Sequence, residues 1–258
     1  MNLLVWAPLL TFGLTSVMSV GGVGAAFILV PIFYWLGMSV PEAGALGLLL
    51  VMFNTGAAAL NFHRGGHIKY RAAIAIIVTV VIFSPLGSYA SVAVDKNIVL
   101  TVFAMFLVVA GSMMLFYHPP KPSEDVEPRR PLWGELSLGG GVGFLSGLLG
   151  VGGGGFIGPF LIWMGLDAKD VAGTTAFIVF FSGIVGFLGH LQFYHGRIDY
   201  ALFALTAVAA VCGGVLGSHL SRFKLSSKQI KQILGVVEYV MAAKIFYDLS
   251  MVFLLHAK

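Results

Sequence analysis

Apolar residues run through the chain in long blocks, and the blocks recur in a fixed order. Residues 3–20, 23–36, 42–62, 71–92 and 98–117 are followed by 133–149, 153–165, 170–193, 200–221 and 229–255. Those at 71–92, 98–117 and 200–221 each hold about 20 residues with few or no charges. That is the length a helix needs to cross a hydrocarbon core of ~30 Å at ~1.5 Å per residue. No block has the short strict alternation of a membrane barrel strand. The pattern predicts an all-α, polytopic membrane protein.

The order of the blocks reflects a repeat. Residues 22–37 read GVGAAFILVPIFYWLG and residues 150–165 read GVGGGGFIGPFLIWMG. At an offset of 128, Gly22, Val23, Gly24, Pro31, Trp35 and Gly37 meet Gly150, Val151, Gly152, Pro159, Trp163 and Gly165. At an offset of 130, Gly66, Ile68 and Tyr70 meet Gly196, Ile198 and Tyr200, and Leu86-Gly87-Ser88 meets Leu216-Gly217-Ser218. Shared composition does not keep such matches in order over about 100 residues. The reading is a first membrane repeat over 1–117, a linker over 118–131 and a second repeat over 132–258. The linker, HPPKPSEDVEPRRP, holds five of the ten prolines interleaved with charge, which makes it a solvated connector.

Composition agrees. Hydrophobic residues are 58% and charged residues 10% of the 258, against roughly 25% charged in soluble domains. The net charge of +4 lies in short loops, which marks topology rather than a nucleic-acid partner. There is no Lys or Arg before Arg64, so the first block is expected to stay as a membrane segment rather than act as a signal peptide. The sole cysteine, Cys212, beside Gly213 and Gly214, reads as a small packing residue between helices.

Each repeat opens with an apolar stretch broken by glycines. If that stretch turns back, loops 63–71, 118–131, 165–170 and 222–231 share one side and carry eleven Lys and Arg against three on the other. If it crosses once, the split is eight to six. Cytoplasmic loops collect positive charge, so the first arrangement is expected: each repeat is a Gly-rich re-entrant helical hairpin plus three transmembrane helices. An odd number of crossings makes the two repeats inverted, with both termini outside. Trp6, Trp35, Trp133 and Trp163 bracket the two hairpins, as indoles placed at a membrane interface would.

Glycines at membrane depth can let the chain reverse inside protein or a wet cavity, or simply let helices pack closely. In the first case, the second arm of each hairpin presents free N–H groups and partial positive charge at its start. Two such arms meeting from opposite sides form an anion site. The candidate substrate-binding residues are therefore Gly22, Gly24, Gly152, Gly153, Gly154 and Gly155, with Asn54, Thr174, Thr175, Ser182 and His190 on the spans that follow. Hydroxyl and amide donors suit oxyanions, although any one hydroxyl can instead bond back to its own helix. Gly150–Gly155 also satisfies G-x-G-x-x-G, but its flanks are apolar helix rather than a strand, so no dinucleotide is expected. Lys244 lies deep in an apolar span, with Asp248 one turn on and Glu238 six residues back; an internal ion pair is the plain reading. No catalytic constellation, metal cluster or ATP loop is present in the sequence. The chain is not expected to be an enzyme or to need a cofactor.

These residues resemble the sulfite exporter TauE/SafE family of membrane proteins. The resemblance rests on the two Gly-rich hairpins ending in proline (Gly22–Pro31 and Gly150–Pro159), on Ala172-Gly173-Thr174-Thr175, and on Gly189-His190 followed by Gly196-Arg197-Ile198-Asp199. It covers nearly the whole chain and implies transport of sulfite, sulfonates or related organic anions. The first repeat departs from it, with Ala45-Leu46-Gly47 opposite Gly173–Thr175 and Ala25-Ala26-Phe27 opposite Gly153–Gly155, so any site is asymmetric. The expectation is a secondary transporter of small anions in the inner (plasma) membrane, working by alternating access. An anion channel or a non-transport assembly protein are the other readings. Expected partners are a small anionic substrate and the lipid bilayer; a homo-oligomer and a coupling ion, H+ or Na+, stay open.

Overall fold

The structure is a computed structural model and describes residues 3–36, 38, 40–90, 96–117, 132–149, 153–191 and 200–256. Among these residues the regular structure is all α-helix, joined by short turns. The helices are α1 (Leu3–Ser19), α2 (Ala26–Trp35), α3 (Val40–Arg64), α4 (Tyr70–Ala90), α5 (Lys96–Phe116), α6 (Leu132–Leu149), α7 (Gly154–Trp163), α8 (Ala168–Leu191), α9 (Tyr200–Phe223) and α10 (Ser227–His256). Each apolar block of the sequence becomes one helix, with ends displaced by three residues or fewer. The linker at 118–131 lies outside the described residues.

Glycine ends several helices for a steric reason. Gly22, Gly66 and Gly165 have φ of 70°, 73° and 84°, where a Cβ is strained. At each, the next residue's N–H reaches back five positions: Val23 to the Met18 carbonyl, His67 to Phe62 and Leu166 to Leu161. These bonds satisfy carbonyls that the helix end would otherwise orphan.

Among the described residues, α3, α4, α8 and α9 are long and apolar enough to cross a membrane. Helices α2 and α7 have ten residues each, about 15 Å of rise, half of a typical hydrocarbon core. A set of polar side chains is enclosed within the apolar core, and the exterior is apolar as well. Thr11, Thr15, Ser19, Asn54, Thr55, Thr174 and Thr175 are fully buried, whereas Leu60, Ile98, Val109, Val208 and Val240 are each about 60% exposed. An exterior of this kind suits lipid rather than water.

The packing pairs helices from the two halves of the sequence. Helix α1 lies along α9, and α6 lies along α4. Both pairs are parallel and close: a Cβ on Gly217 would sit 2.1 Å from the Ser16 carbonyl oxygen, and one on Gly87 would sit 1.9 Å from that of Phe144. Ser16 and Phe144 stand 128 residues apart and Gly87 and Gly217 stand 130 apart, the two offsets of the sequence match. By contrast, α3 runs antiparallel to its counterpart α8, with Gly183 against Met52 and Gly186 against Leu48. Helix α5 runs antiparallel to α10, with Leu115 against Gly235 and Ser112 bonded to Tyr239 at 2.6 Å.

The sequence reading of Cys212 is corrected. Its side chain is exposed, and Gly213 and Gly214, turned about 100° and 200° round the helix, make the close contacts with α1 and α3 instead. Lys244 pairs with Asp248 at 2.5 Å as an i,i+4 ion pair, and Glu238 lies apart, buried.

Candidate functional site

The two glycine turns meet. A Cβ on Gly154, the first residue of α7, would lie 1.8 Å from the carbonyl oxygen of Val23, in the turn that leads into α2. The starts of the two short helices are therefore side by side, each following a glycine with positive φ: Gly24 at 76° and Gly153 at 73°. The first turn is also wedged between α3 and α8. A Cβ on Gly22 would strike the Ala172 carbonyl at 1.9 Å, and one on Gly24 would meet Thr55, Val179 and Val51 at 3.3 Å. Backbone approaches this close are open only to glycine.

Around this junction sit buried polar side chains. Ser19, at the end of α1, donates its hydroxyl to Oδ1 of Asn54 on α3. That bond leaves the Asn54 amide Nδ2 buried with no hydrogen-bond partner among the described residues. The Thr175 hydroxyl, one turn beyond Val171, is likewise fully buried and without a partner there. Val171 is the α8 side chain that approaches Gly158 of α7, at 4.0 Å from a Cβ placed there. Residues i and i+4 share a helix face, which sets Thr175 on the stripe of α8 that faces α7. Thr55, beside Asn54, bonds back to the Val51 carbonyl at 2.6 Å. An unpaired buried donor costs about 1–3 kcal/mol, so two of them beside the glycine junction call for a partner.

The other candidates are placed differently. Thr174 faces the loop between α3 and α4 and accepts the Lys69 N–H at 3.0 Å. Ser182, the counterpart of Asn54 at the 128 offset, is buried on α8. Gly153 faces Val142 and Ser146 of α6, and Gly155 faces Leu107 of α5 at 3.9 Å. Gly152 lies outside the described residues, and His190 lies in α8 with its side chain outside them. The structure thus brings Gly22, Gly24, Gly154, Asn54 and Thr175 to one region and spreads the rest around it.

The sequence reading missed Ser19, the group that orients Asn54. It also passed over Glu135 on α6, which is 2% exposed, and gave Glu238 no role beyond a neighbour of Lys244, although it is 4% exposed on α10. Each has one carboxyl oxygen without a partner among the described residues. The available signal was charge inside an apolar block, applied only to Lys244.

At one end of the bundle the charged loops converge. His67 Nδ1 and Lys69 Nζ both lie 2.9 Å from the Asp170 carboxylate at the start of α8. Lys169 donates to the Arg222 carbonyl at 2.9 Å, and Arg222 donates to Asn61 at 2.6 Å. Ser227, opening α10, bonds Asp167 at 2.8 Å, and Lys231 donates to the carbonyl of Tyr117 after α5.

The structure is an apolar-skinned helical bundle with a buried, glycine-lined junction, and comparison with known proteins points to a membrane transporter rather than an enzyme. The chain belongs to the sulfite exporter TauE/SafE family, whose model matches residues 7–245. It is similar to the probable membrane transporter protein YunE of Bacillus subtilis, 25% identical over 90% of this chain and 93% of that protein. It is also similar to the probable membrane transporter protein y4hK of Sinorhizobium fredii, 26% identical over 88% of this chain and 98% of that protein. A probable membrane transporter protein of Haemophilus influenzae is 30% identical over 64% of this chain and 65% of its own. No solved structure matches the chain.

Proposed function

We propose that this protein is a secondary transporter of small anions, of the sulfite or sulfonate type, that works by alternating access between two inverted repeats. The observation that carries the reading is the pair of unpartnered buried donors, Asn54 Nδ2 and Thr175 Oγ1, beside the junction where α2 and α7 begin. Helix starts carry partial positive charge, and N–H and O–H donors in a dry surround recognise oxyanions. Direct contact of Val23 with Gly154 closes the junction in this conformation, so the anion enters when the two turns part.

The inverted arrangement draws support from helix direction. Helices α3 and α8, and α5 and α10, run antiparallel although their sequences correspond. The convergence of Lys69, Lys169, Arg222 and Lys231 with their loops at one end supports the turn-back arrangement, in which those loops are cytoplasmic and both termini outside. Ten-residue α2 and α7 support half-membrane arms with their starts near the midplane. The membrane is then the inner (plasma) membrane.

Purified protein in liposomes tests the proposal. Sulfite or a short sulfonate loaded inside should accelerate uptake of the labelled anion from outside. Downhill flux without such acceleration would mean a channel, and no flux of any small anion would refute transport of this class.

A further inference from the structure

We propose that the groove between α3 and α8 at the charged end is a binding site for one acyl chain of an anionic phospholipid, whose headgroup phosphate is held by Arg64 and Arg71. The groove is about 330 Å³ and is lined by Gly56, Ala59, Leu60, Ile68, Phe177 and Phe180, with His63 and Tyr70 at one end. It exists because α3 presents small residues to aromatic ones: a Cβ on Gly56 would already meet the Phe180 ring at 3.0 Å. Its end is fixed by the Tyr70 hydroxyl, which bonds His63 Nδ1 at 2.5 Å, and by the Tyr70 ring, which meets Phe177 edge-on at 5.4 Å.

Three features point to the occupant. The long walls come from α3 and α8, both apolar and long enough to span, with Ile68 and Tyr70 closing one end, so the open side faces acyl chains. The lining is apolar except at the His63–Tyr70 end, which matches a molecule with a long apolar part and one polar end. That polar end carries exposed Arg64, one turn beyond Leu60 on the groove's stripe of α3, and exposed Arg71, next to Tyr70. A soluble anion gains nothing from the apolar walls, and a zwitterionic lipid gains little from two guanidinium groups. Basic residues beside clefts between membrane helices recognise anionic headgroups by this combination. The lipid would touch both sequence copies at once, and the site is separate from the glycine junction.

The test is native mass spectrometry of the full chain with added lipids. Dioleoyl phosphatidylglycerol should stay bound at activation energies that strip dioleoyl phosphatidylcholine. The surface variant R64Q/R71Q should lower retained phosphatidylglycerol roughly tenfold, since each basic group near the surface contributes measurably to anionic-lipid binding. Dihexanoyl phosphatidylglycerol, with the same headgroup and short tails, should bind roughly tenfold more weakly than the dioleoyl form because the tail slot is left unfilled. Equal retention of the two dioleoyl lipids, wild-type retention by R64Q/R71Q, equal binding of the short-chain lipid, or displacement by millimolar inorganic phosphate would each overturn the site.

Discussion

The Ser19 hydroxyl at the end of α1 donates to the side-chain oxygen of Asn54 in α3 and so turns the amide nitrogen of Asn54 to a place where no group among the described residues receives it. A helix end from beside the first glycine turn thereby sets the orientation of a buried donor on a spanning helix.

Removing that donor should weaken anion recognition. Asn54→Leu should raise the half-saturating anion concentration in counterflow roughly tenfold, the scale of one lost buried hydrogen bond at about 1–3 kcal/mol. Ser19→Ala, which leaves the amide present but unheld, should have a smaller effect in the same direction. Unchanged concentration dependence in Asn54→Leu would remove Asn54 from the site.

The glycine junction makes a sharper contrast between neighbours. Gly154→Ala puts a methyl 1.8 Å from the Val23 carbonyl and should force the two turns apart, abolishing or locking transport. Gly155→Ala meets only Leu107 at 3.9 Å and should transport at near wild-type rate. Flux assays at matched reconstitution decide this; equal behaviour of the two variants would make the junction irrelevant to transport.

Close packing of α1 on α9 and of α6 on α4 predicts a matched pair of stability effects. Gly87→Val and Gly217→Val each drive a side chain into a backbone carbonyl, at 1.9 and 2.1 Å from the Cβ. Each should cost at least about 1–3 kcal/mol through overpacking and lower the thermal unfolding midpoint in detergent. A tolerant position in either variant would show that its helix pair separates at little cost.

Sidedness follows from the clustered loops. In a Cys212→Ser background, needed because the native thiol is exposed, cysteines at Lys69 and Ser227 should react with an impermeant thiol reagent from the cytoplasmic side. A cysteine at Tyr200, at the opposite end of α9, should react from outside. Labelling of positions 69 and 227 from different sides would break the proposed topology.

The helices were legible because membrane burial writes itself into a sequence as length and apolarity, and glycine marks the breaks. The turns at Gly22 and Gly24 and the buried Asn54 could be found for the same reason. Facing directions could not. Thr174 and Thr175 are adjacent in the chain and look like one motif, yet a 100° rotation gives Thr174 to the Lys69 N–H and leaves Thr175 on another face. Cys212 went astray for that reason too: its glycine neighbours pack and it does not. Ser19 acts through a residue 35 positions away, and no local periodicity encodes such a partnership.

The pairing of α1 with α9 bears on how the chain is made. Helix α1 leaves the ribosome well before the surface it packs against, since α9 is synthesised some 200 residues later. Helix α1 therefore waits in the bilayer with its small-residue face uncovered until α9 arrives. Neither proposed repeat should complete its interior alone, and the two expressed as separate polypeptides should be recovered as one complex.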